Sequence, residues 1–233
     1  MNLPNKPEKC FVCGGNQFSL QEILWEELID EWELAPSEVD YINVQQGLNC
    51  NSCRSNLRSI TLAKAILIAV QTDKTLNSYI RTSEARKLKV LEVNEAGTLH
   101  PFLGKFTNYT FAEYPEIDLH NLPYGDESFN LVLHSDTLEH IDEPSIALSQ
   151  IFRVLEKGGM TIFTTPIIVE RATRSRNGMP NSFHGSPGTT DLGMLVTHEY
   201  GSDFWKYLAN VGFMDIRIIS EMYPAGIAFI ATK

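Results

Sequence analysis

One stretch of the chain decides its fold: FNLVLHSDTLEHIDEPSIALSQIFRVLEKGGMTIFTT, residues 129–165. Residues 129–134 are nearly all apolar, which is typical of a strand covered on both faces in a parallel sheet. Pro144 suits the first turn of a following helix, and the glycine pair 158–159 is expected to end it. Residues 160–164 are expected to form the next strand.

The same alternation continues on both sides of this stretch. Before it, residues 89–93 predict a strand, followed by a loop at 94–98 and a helix. After it come a helix that is expected to end at Gly212 and two closing strands, 215–220 and 225–232. Repeated strand, loop and helix predict a doubly wound α/β sheet, in which ligands bind outside the carboxyl ends of the strands.

The composition excludes several classes of protein. The 233 residues allow one α/β domain with a small appendage. Apolar runs are far shorter than the ~20 residues of a membrane span, and we expect a cytoplasmic chain because its start has no apolar export segment. The formal charge of −10 opposes binding to nucleic acid or anionic membrane. Residues 22–40 hold eight carboxylates and no Lys or Arg, so this segment should repel phosphate.

Four cysteines form two CxxC pairs near the N-terminus: Cys10, Cys13, Cys50 and Cys53. Two such pairs predict a zinc-ribbon-like site, because each pair directs two thiolates at one ion and four thiolates complete a tetrahedral shell. Four protein ligands leave no open position, so the metal would be structural. The alternatives are four separately buried cysteines or a redox CxxC pair.

The zinc prediction implies a division of the chain. The 36 residues between the two pairs exceed the usual spacing of about 15 to 20, and an inserted acidic amphipathic helix is the simplest filling. We therefore predict a zinc-ribbon-like segment at 1–58 and an α/β domain at 59–233, with 59–87 as a helical linker.

Three motifs carry a resemblance to a known family. They are D-x-x-x-L-P-[FY]-x-D-x-S-F-[DN] at 118–130, L-E-H at 138–140 and R-V-L-x-x-G-G at 153–159. Over residues 88–166 the chain resembles the class I S-adenosylmethionine-dependent methyltransferases, and within them the small-molecule branch called methyltransferase type 11. The resemblance implies a Rossmann-like sheet and S-adenosylmethionine as cofactor.

The resemblance also implies roles for single residues. Glu92 is expected to help hold the amino-acid end of the cofactor, Glu113 the ribose hydroxyls and Asp118 the adenine amino group. Carboxylates suit these positions because a ribose diol and an exocyclic amine are donors. The other expected contacts are Leu119 beside the adenine ring, and His134 and Ser135 under the methionine moiety.

The first loop departs from the family pattern. The family normally has acidic-x-Gly-x-Gly-x-Gly after its first strand, whereas Asn94, Ala96 and Thr98 stand at the glycine positions here. Glycine matters because it permits positive φ and close approach of a ligand to the backbone. Asn94, Glu95, Ala96 and Gly97 are still expected to line the cofactor site. The linker to the next buried strand is also short, so the usual second helix is expected to be missing.

Methyl transfer to a hydroxyl requires alignment of donor and acceptor and removal of a proton. His140 is the predicted base, because it follows the end of a strand and imidazole titrates near neutral pH. Asp136 and Glu139 are predicted to orient this ring or to share a metal with it. His184 and His198 are further candidate bases. Alternatively, His140 and Glu139 only fix the entrance of the helix.

A long irregular stretch, residues 170–188, is unusually basic for this acidic chain. Its three arginines are Arg171, Arg174 and Arg176. Guanidinium groups suit phosphate or carboxylate groups on an acceptor, and the alternative is pairing with surface acids. Phe183 and Tyr200 are candidates for stacking on a sugar or another ring.

The leading hypothesis is an S-adenosylmethionine-dependent O-methyltransferase with structural zinc, acting on a small or glycan-like polar acceptor that can be anionic. Nucleic acid is not an expected partner, whereas a protein partner at the N-terminal segment stays open. One alternative is a noncatalytic zinc-ribbon interaction protein with a degenerate methyltransferase fold. Another is a protein or RNA methyltransferase.

Overall fold

The structure is a computed structural model that describes residues 6–184 and 189–233. Within these residues the strands are β1 (Phe18–Leu20), β2 (Leu48–Cys50), β3 (Lys89–Val93), β4 (Asn108–Ala112), β5 (Phe129–Ser135), β6 (Leu155–Thr164), β7 (Ile167–Ile168), β8 (Arg174–Ser175), β9 (His198–Gly201), β10 (Asp215–Glu221) and β11 (Gly226–Thr232). The α-helices are α1 (Glu26–Glu31), α2 (Pro36–Gly47), α3 (Leu57–Ala69), α4 (Leu76–Tyr79), α5 (His100–Leu103), α6 (Pro144–Val154) and α7 (Trp205–Val211).

The main sheet has six strands in the order β10-β11-β6-β5-β3-β4. Strands β4, β3, β5 and β6 are parallel, whereas β11 pairs antiparallel with both β6 and β10. The central strand β5 is buried along almost its whole length, as its apolar sequence predicted. The carboxyl ends of the four parallel strands therefore meet at one edge of the sheet.

Helices cover both faces of this sheet. On one face, Leu62 and Ile66 of α3 pack in a core that includes Val90 and Leu131 from the strands. On the other face, α6 and α7 pack against residues of the opposite pleat, among them Phe163. The prediction of a mixed α/β fold is therefore confirmed.

The helix after β5 ends earlier than predicted. Helix α6 stops at Val154 and β6 begins at the next residue, so the glycine pair 158–159 does not end the helix. Gly158 has a φ of +76°, and the register with β5 shifts between Phe129 and Leu131. The glycines thus allow an irregularity inside β6 that an L-residue would resist. Between β4 and β5 the described chain has no helix, in agreement with the short linker.

Between the cysteine pairs the structure has one helix more than predicted: α1 lies in the acidic segment, and α2 follows it. Two helices, α1 and α2, fill this part of the chain. Glu33 has a φ of +51°, which breaks the first helix, and Pro36 begins the second. The Glu38 carboxylate accepts a hydrogen bond from the Ala35 N–H at 2.8 Å and so satisfies a free donor at the start of α2.

The N-terminal segment shares its packing with the sheet. Cys10, Val12 and Cys50 belong to the same core as α3 and the strands. Helix α3 begins at Leu57 and spans the predicted boundary at 58, so this helix is part of the core and more than a linker. The division into 1–58 and 59–233 stays a prediction.

A search of the described residues for a membrane-spanning helix finds none that combines sufficient length with sufficient apolar character.

Candidate active site

A cavity of about 390 Å³ lies at the carboxyl edge of the sheet. Its polar wall comes from the loops after the strands and includes Glu95, Asp136, His140 and His184. Its apolar wall comes mainly from α1 and α2 of the N-terminal segment and from β7; these residues include Leu24, Trp25, Leu28, Trp32, Leu34, Ile42, Ile167 and Ile168. The volume lies within the range of sites for small ligands.

Glu92 ends up beneath the first loop and does not line the cavity. Its side chain is fully buried at the end of β3, and one carboxylate oxygen accepts the Ala96 N–H at 2.8 Å. The other oxygen lies 3.0 Å from His100 Nδ1 and accepts the Tyr109 hydroxyl. The carboxylate therefore holds the loop in place.

Two residues of the first loop have the positive φ that glycine adopts most easily. Asn94 and Gly97 have φ values of +52° and +53°. Asparagine tolerates this left-handed region better than most residues, and the Asn94 side chain accepts the Tyr114 N–H at 3.0 Å. Of the four predicted loop residues, Glu95 lines the cavity, whereas Ala96 is completely buried.

Arg58 is a site residue that the sequence analysis missed. Its guanidinium pairs with the Asp136 carboxylate, and an added Cβ on Gly97 would lie 3.1 Å from Arg58 Nη2. The guanidinium therefore lies between the first loop and Asp136. Its Nε is buried and has no hydrogen-bond partner in the described part of the chain. The one signal in the sequence is that Arg58 follows the second cysteine pair by five residues.

Asp136 is held at the end of β5 by Arg58, Thr164 and Gln46, whose Nε2 donates to Asp136 Oδ2 at 3.4 Å. Its backbone φ is +46°, and besides Arg58 it accepts a hydrogen bond from Thr164 Oγ1 at 3.0 Å. Thr164 also lies 2.7 Å from the hydroxyl of Ser135, oxygen to oxygen. These contacts connect the predicted residues Ser135 and Asp136 to the neighbouring strand β6 and hold both at the cavity.

Glu139, His140 and His184 form a compact cluster on the polar wall. The Glu139 Oε1 atom lies 3.7 Å from His140 Nε2 and 3.8 Å from His184 Nδ1. His140 Nδ1 lies 2.9 Å from the carbonyl oxygen of Leu195, so this nitrogen is the donor and Nε2 keeps its lone pair. The structure thus brings together two of the predicted bases and the predicted neighbouring carboxylate.

Burial sets the protonation of this cluster. Burial and the nearby Asp136 charge raise the pKa of Glu139 well above its ordinary value. Burial lowers the pKa of His140, and burial together with His140 lowers the pKa of His184 to about 4. Both imidazoles are therefore neutral near pH 7 and can accept a proton or bind a cation.

Besides Glu92 and the loop residues Asn94, Ala96 and Gly97, four further predicted cofactor residues do not line this cavity. Glu113 is exposed after β4, and Leu119 is buried in the core. Asp118 is largely exposed; the N–H and ring of His120 bond to it and lower its pKa. His134 is completely buried and stacks on Phe163 with ring centroids 4.4 Å apart.

The arginines of the irregular stretch pair with carboxylates of the protein itself. Arg171 binds Glu38, and Arg174 and Arg176 both bind Glu199. The arginines therefore form ion pairs, as the alternative expects, but with the buried carboxylates of Glu38 and Glu199 instead of surface acids. The anion site stays a prediction. The last part of the stretch, residues 185–188, lies outside the described residues.

The expected ring contacts also differ. Tyr200 is buried and its hydroxyl donates to the Leu138 carbonyl oxygen at 3.0 Å, so it has no face free for stacking. His198 is buried beside Tyr200 and does not line the cavity. Phe183 forms a bridge to Leu195 and is also absent from the lining. Trp25 and Trp32 instead supply aromatic rings to the cavity wall, and their spacing in the acidic segment was the available signal.

The four cysteines meet at one point. Cys10 Sγ lies 3.6 Å from Cys53 Sγ, and Cys13 Sγ lies 3.7 Å from Cys50 Sγ. All four thiols are free, and their sulfur atoms lie within 4.8 Å of one another. Gly14 and Arg54, which directly follow the two pairs, both take positive φ, so the two turns have matching conformations.

The central segment of the chain is similar to a known family. Residues 82–163 match the family model of the methyltransferase domain. A Mycolicibacterium smegmatis protein described as "Probable S-adenosylmethionine-dependent methyltransferase" is 31% identical over 151 residues, covering 62% of this chain and 50% of its own. The ubiquinone/menaquinone biosynthesis C-methyltransferase of Salmonella arizonae is 32% identical over 101 residues. The aligned part covers 42% of this chain and 37% of the relative.

A solved structure was also compared with the chain. It is the crystal structure of an S-adenosylmethionine-dependent methyltransferase of Thermotoga maritima, described as a possible histamine N-methyltransferase. It aligns with a TM-score of 0.44 at 14% identity, covering 76% of this chain and 90% of that one.

The matched segment contains β3, β4, β5 and most of β6, which are the strands whose ends form the cavity. Over residues 82–163 the chain is therefore similar to the methyltransferase domain family. The chain spans half or less of the length of the two curated relatives.

Proposed function

We propose that the protein is an S-adenosylmethionine-dependent methyltransferase that methylates an oxygen of a small acceptor bound in the 390 Å³ cavity. One observation carries the proposal: charged groups from the first loop, from α3 and from the end of β5 converge at this cavity opposite two neutral imidazoles. They are Glu95, Arg58, Asp136, His140 and His184.

The residues beside the first loop fit the amino-acid end of the cofactor. S-adenosylmethionine supplies a methyl group on a positively charged sulfur. The Arg58 guanidinium suits a carboxylate because it is a planar, permanently charged donor, and its buried Nε lacks a partner within the described residues. Asp136 and Glu95 offer carboxylates to an ammonium group. The backbone at Asn94 and Gly97 has the positive φ that allows close approach.

The proposed contacts of the adenosine end follow β4. Glu113 and Asp118 follow β4 and remain our proposed contacts for the ribose and the adenine, with Leu119 beside the ring. Both carboxylates lie outside the cavity lining and Asp118 is bonded to His120, so cofactor binding would have to recruit them. The fully buried His134 supports the site from within the sheet.

The acceptor end of the cavity combines aromatic walls with imidazoles. Trp25 and Trp32 line the cavity, so a sugar or another flat group bound there would contact aromatic side chains. His140 has an unprotonated Nε2 on the polar wall, and we propose that this imidazole, together with His184, takes up the hydroxyl proton. Asp136 holds Arg58 and contributes negative charge to both rings. The neighbouring arginines are already paired, which favours a neutral acceptor.

We propose that the four cysteines bind structural zinc. A tetrahedral ion with Zn–S bonds of 2.3 Å places its sulfurs about 3.8 Å apart, close to the observed 3.6 and 3.7 Å. The reduced thiols supply the soft ligands that zinc accepts, and four of them leave no position for a substrate.

Calorimetric titration with S-adenosylmethionine tests the cofactor assignment, and transfer of a labelled methyl group to a panel of hydroxyl compounds tests the reaction. We expect saturable binding and a rise in melting temperature with ligand concentration. The Glu95→Gln variant should bind more weakly, whereas Glu84→Gln, far from the cavity, should bind normally. Absence of binding at millimolar ligand would leave the noncatalytic alternative.

A further inference from the structure

We propose that Glu139, His140 and His184 bind one divalent transition-metal ion, distinct from the ion at the four cysteines. The inference rests on the proposed function and changes one role in it: a metal at this position would activate the acceptor hydroxyl, and the two histidines would then be its ligands instead of the proton acceptors. The cluster lies on the polar wall of the cavity, and both imidazoles line it.

The distances suit a single ion. One ligand atom from each of the three residues lies within 4.8 Å of the other two, and Glu139 Oε1 lies 3.7 and 3.8 Å from the imidazole nitrogens. An ion with bonds of about 2.0–2.2 Å needs tetrahedral ligands about 3.4 Å apart. Small side-chain movements would close this difference. The observed separations are too long for direct hydrogen bonds between the three groups.

The surroundings orient the ligand atoms. The Leu195 carbonyl oxygen accepts from His140 Nδ1 and leaves Nε2 for a metal, the usual arrangement of metal-binding histidines. The hydroxyl of Thr165 bonds to Glu139 Oε2 at 3.2 Å. The other oxygen, Oε1, is buried and has no hydrogen-bond partner among the described residues, although the Glu139 side chain is only 2% exposed. A buried carboxylate oxygen without a partner is costly, and a cation between the imidazoles would satisfy it.

The donor set indicates both the metal and its use. Two imidazoles and one carboxylate occur in catalytic zinc sites and in non-haem iron sites, and they leave coordination positions open. Here the open side faces the cavity. A bound acceptor hydroxyl would have its pKa lowered by the ion, its proton would pass to solvent water, and its oxygen would then take the methyl group as the carbon–sulfur bond breaks.

Metal analysis of the intact protein tests the inference. We expect the wild-type chain to hold one equivalent more of zinc than either His184→Ala or the nearly isosteric Glu139→Gln. After loading with cobalt, the wild-type chain should again hold one equivalent more than either variant. The visible absorption that the variants lack should contain no thiolate charge-transfer bands, because those bands come from cobalt at the cysteine site. The control His198→Ala removes a buried histidine outside the cluster and should keep the full metal content.

The inference is overturned if both cluster variants are folded by circular dichroism and hold as much zinc and cobalt as wild type. Calorimetry with S-adenosylmethionine on the same samples separates this outcome from failure of the proposed function. A wild-type chain that binds the cofactor but shows no metal difference refutes only the metal site. A chain that shows the metal difference but does not bind the cofactor refutes only the methyltransferase proposal.

Discussion

Two residues explain how a loop with few glycines can still serve a cofactor site. Asn94 takes a left-handed conformation at a position where the resemblance expects glycine, and Gly97 keeps the space that the Arg58 guanidinium approaches. At Asn94 a left-handed conformation is therefore formed without glycine, whereas Ala96, at the next expected glycine position, has a φ of −73°. The carboxylate of Glu92 adds to this by bonding the loop from below.

Arg58 should be the main determinant of cofactor affinity at the methionine end. We expect Arg58→Met to weaken binding of S-adenosylmethionine by about tenfold or more, because a hydrogen bond to a charged group contributes roughly 1.5–3 kcal/mol. Arg58→Lys keeps the charge but loses the planar donor pair, so its affinity should be intermediate. Isothermal titration measures both, with the exposed Arg81→Met as control. Equal affinities in all variants would remove Arg58 from the site.

His134 should make the protein sensitive to acid. Its complete burial lowers its pKa to about 3, whereas an unfolded histidine titrates near 6.5. The unfolded chain therefore binds the proton first, so the stability is full above about pH 6.5 and falls as the pH decreases toward 3.

This titration predicts the behaviour of a variant without the imidazole. Between pH 7 and pH 5 we expect His134 to account for a loss of about 2 kcal/mol in the free energy of unfolding. His134→Leu replaces the ring by a side chain of similar size. Between pH 7 and pH 5 its free energy of unfolding, measured by urea titration, should fall by about 2 kcal/mol less than that of wild type. His120→Gln, at the surface, should follow wild type. Parallel pH profiles for wild type and His134→Leu would contradict this account.

At the scale of elements, the acidic segment and the basic stretch belong together. Helix α2 and the loop after β7 are joined by the pair of Glu38 with Arg171, which forms two hydrogen bonds at 3.1 and 2.6 Å. Arg171 also donates to the carbonyl oxygens of Trp32 and Glu33. These contacts hold α1 and α2 over the cavity. The negative charge of residues 22–40, which the sequence predicts to repel phosphate, is therefore partly neutralised by Arg171.

A double-mutant cycle should measure this connection. We expect Glu38→Gln and Arg171→Met to be coupled by about 1–3 kcal/mol in unfolding free energy, because the carboxylate is almost completely buried. Burial alone would raise the pKa of Glu38, but the bonds from Arg171 and from the Ala35 N–H outweigh it and lower the pKa.

The lowered pKa of Glu38 fixes the pH dependence of the coupling. The contribution of the Glu38–Arg171 pair to the free energy of unfolding should be present above the pKa of glutamate in the unfolded chain, near 4.3. It should be lost as the pH falls through the lower pKa of Glu38 in the folded chain. A cycle on the exposed pair of Lys206 and Asp203 serves as control and should give less than about 1 kcal/mol. Purely additive effects at Glu38 and Arg171 at pH 7 would show that the pair does not join the two elements.

At the scale of the whole molecule, the cysteine site and the cavity are mechanically connected. The second cysteine pair leads directly into α3, whose second residue is Arg58. The first pair is tied to α4 by backbone hydrogen bonds from Leu76 to Phe11 and from Asn77 to Val12. Zinc binding should therefore stabilise the shared core and also position a residue of the proposed cofactor site.

Removal of one cysteine should affect both properties at once. We expect Cys13→Ser to lose one zinc per chain, to lower the melting temperature and to weaken binding of S-adenosylmethionine. Ser52→Ala changes the same region without removing a ligand and should retain the metal. Emission spectrometry, thermal denaturation and calorimetry give the three readouts. An unchanged zinc content in Cys13→Ser would refute the four-cysteine site.

The sequence by itself determined the features that depend on local pattern. The strands at 89–93 and 129–134 follow from short apolar runs, and the end of α7 follows from Gly212, whose φ is +115°. The approach of the four cysteine thiols to one another was predicted from their chemistry and spacing. These features need only neighbouring residues, so periodicity and residue type are sufficient to predict them.

Only the tertiary structure decided which side chains meet at the site. Arg58 and Asp136 are 78 residues apart in the chain, and Glu38 and Arg171 are 133 apart. Glu139 meets His184 because the irregular stretch folds back over the sheet. Such contacts depend on how distant elements pack, and burial then shifts the pKa values. Residue spacing cannot predict packing between distant elements or burial. The partners of the arginines and the approach of His184 to Glu139 are therefore visible only in the folded chain.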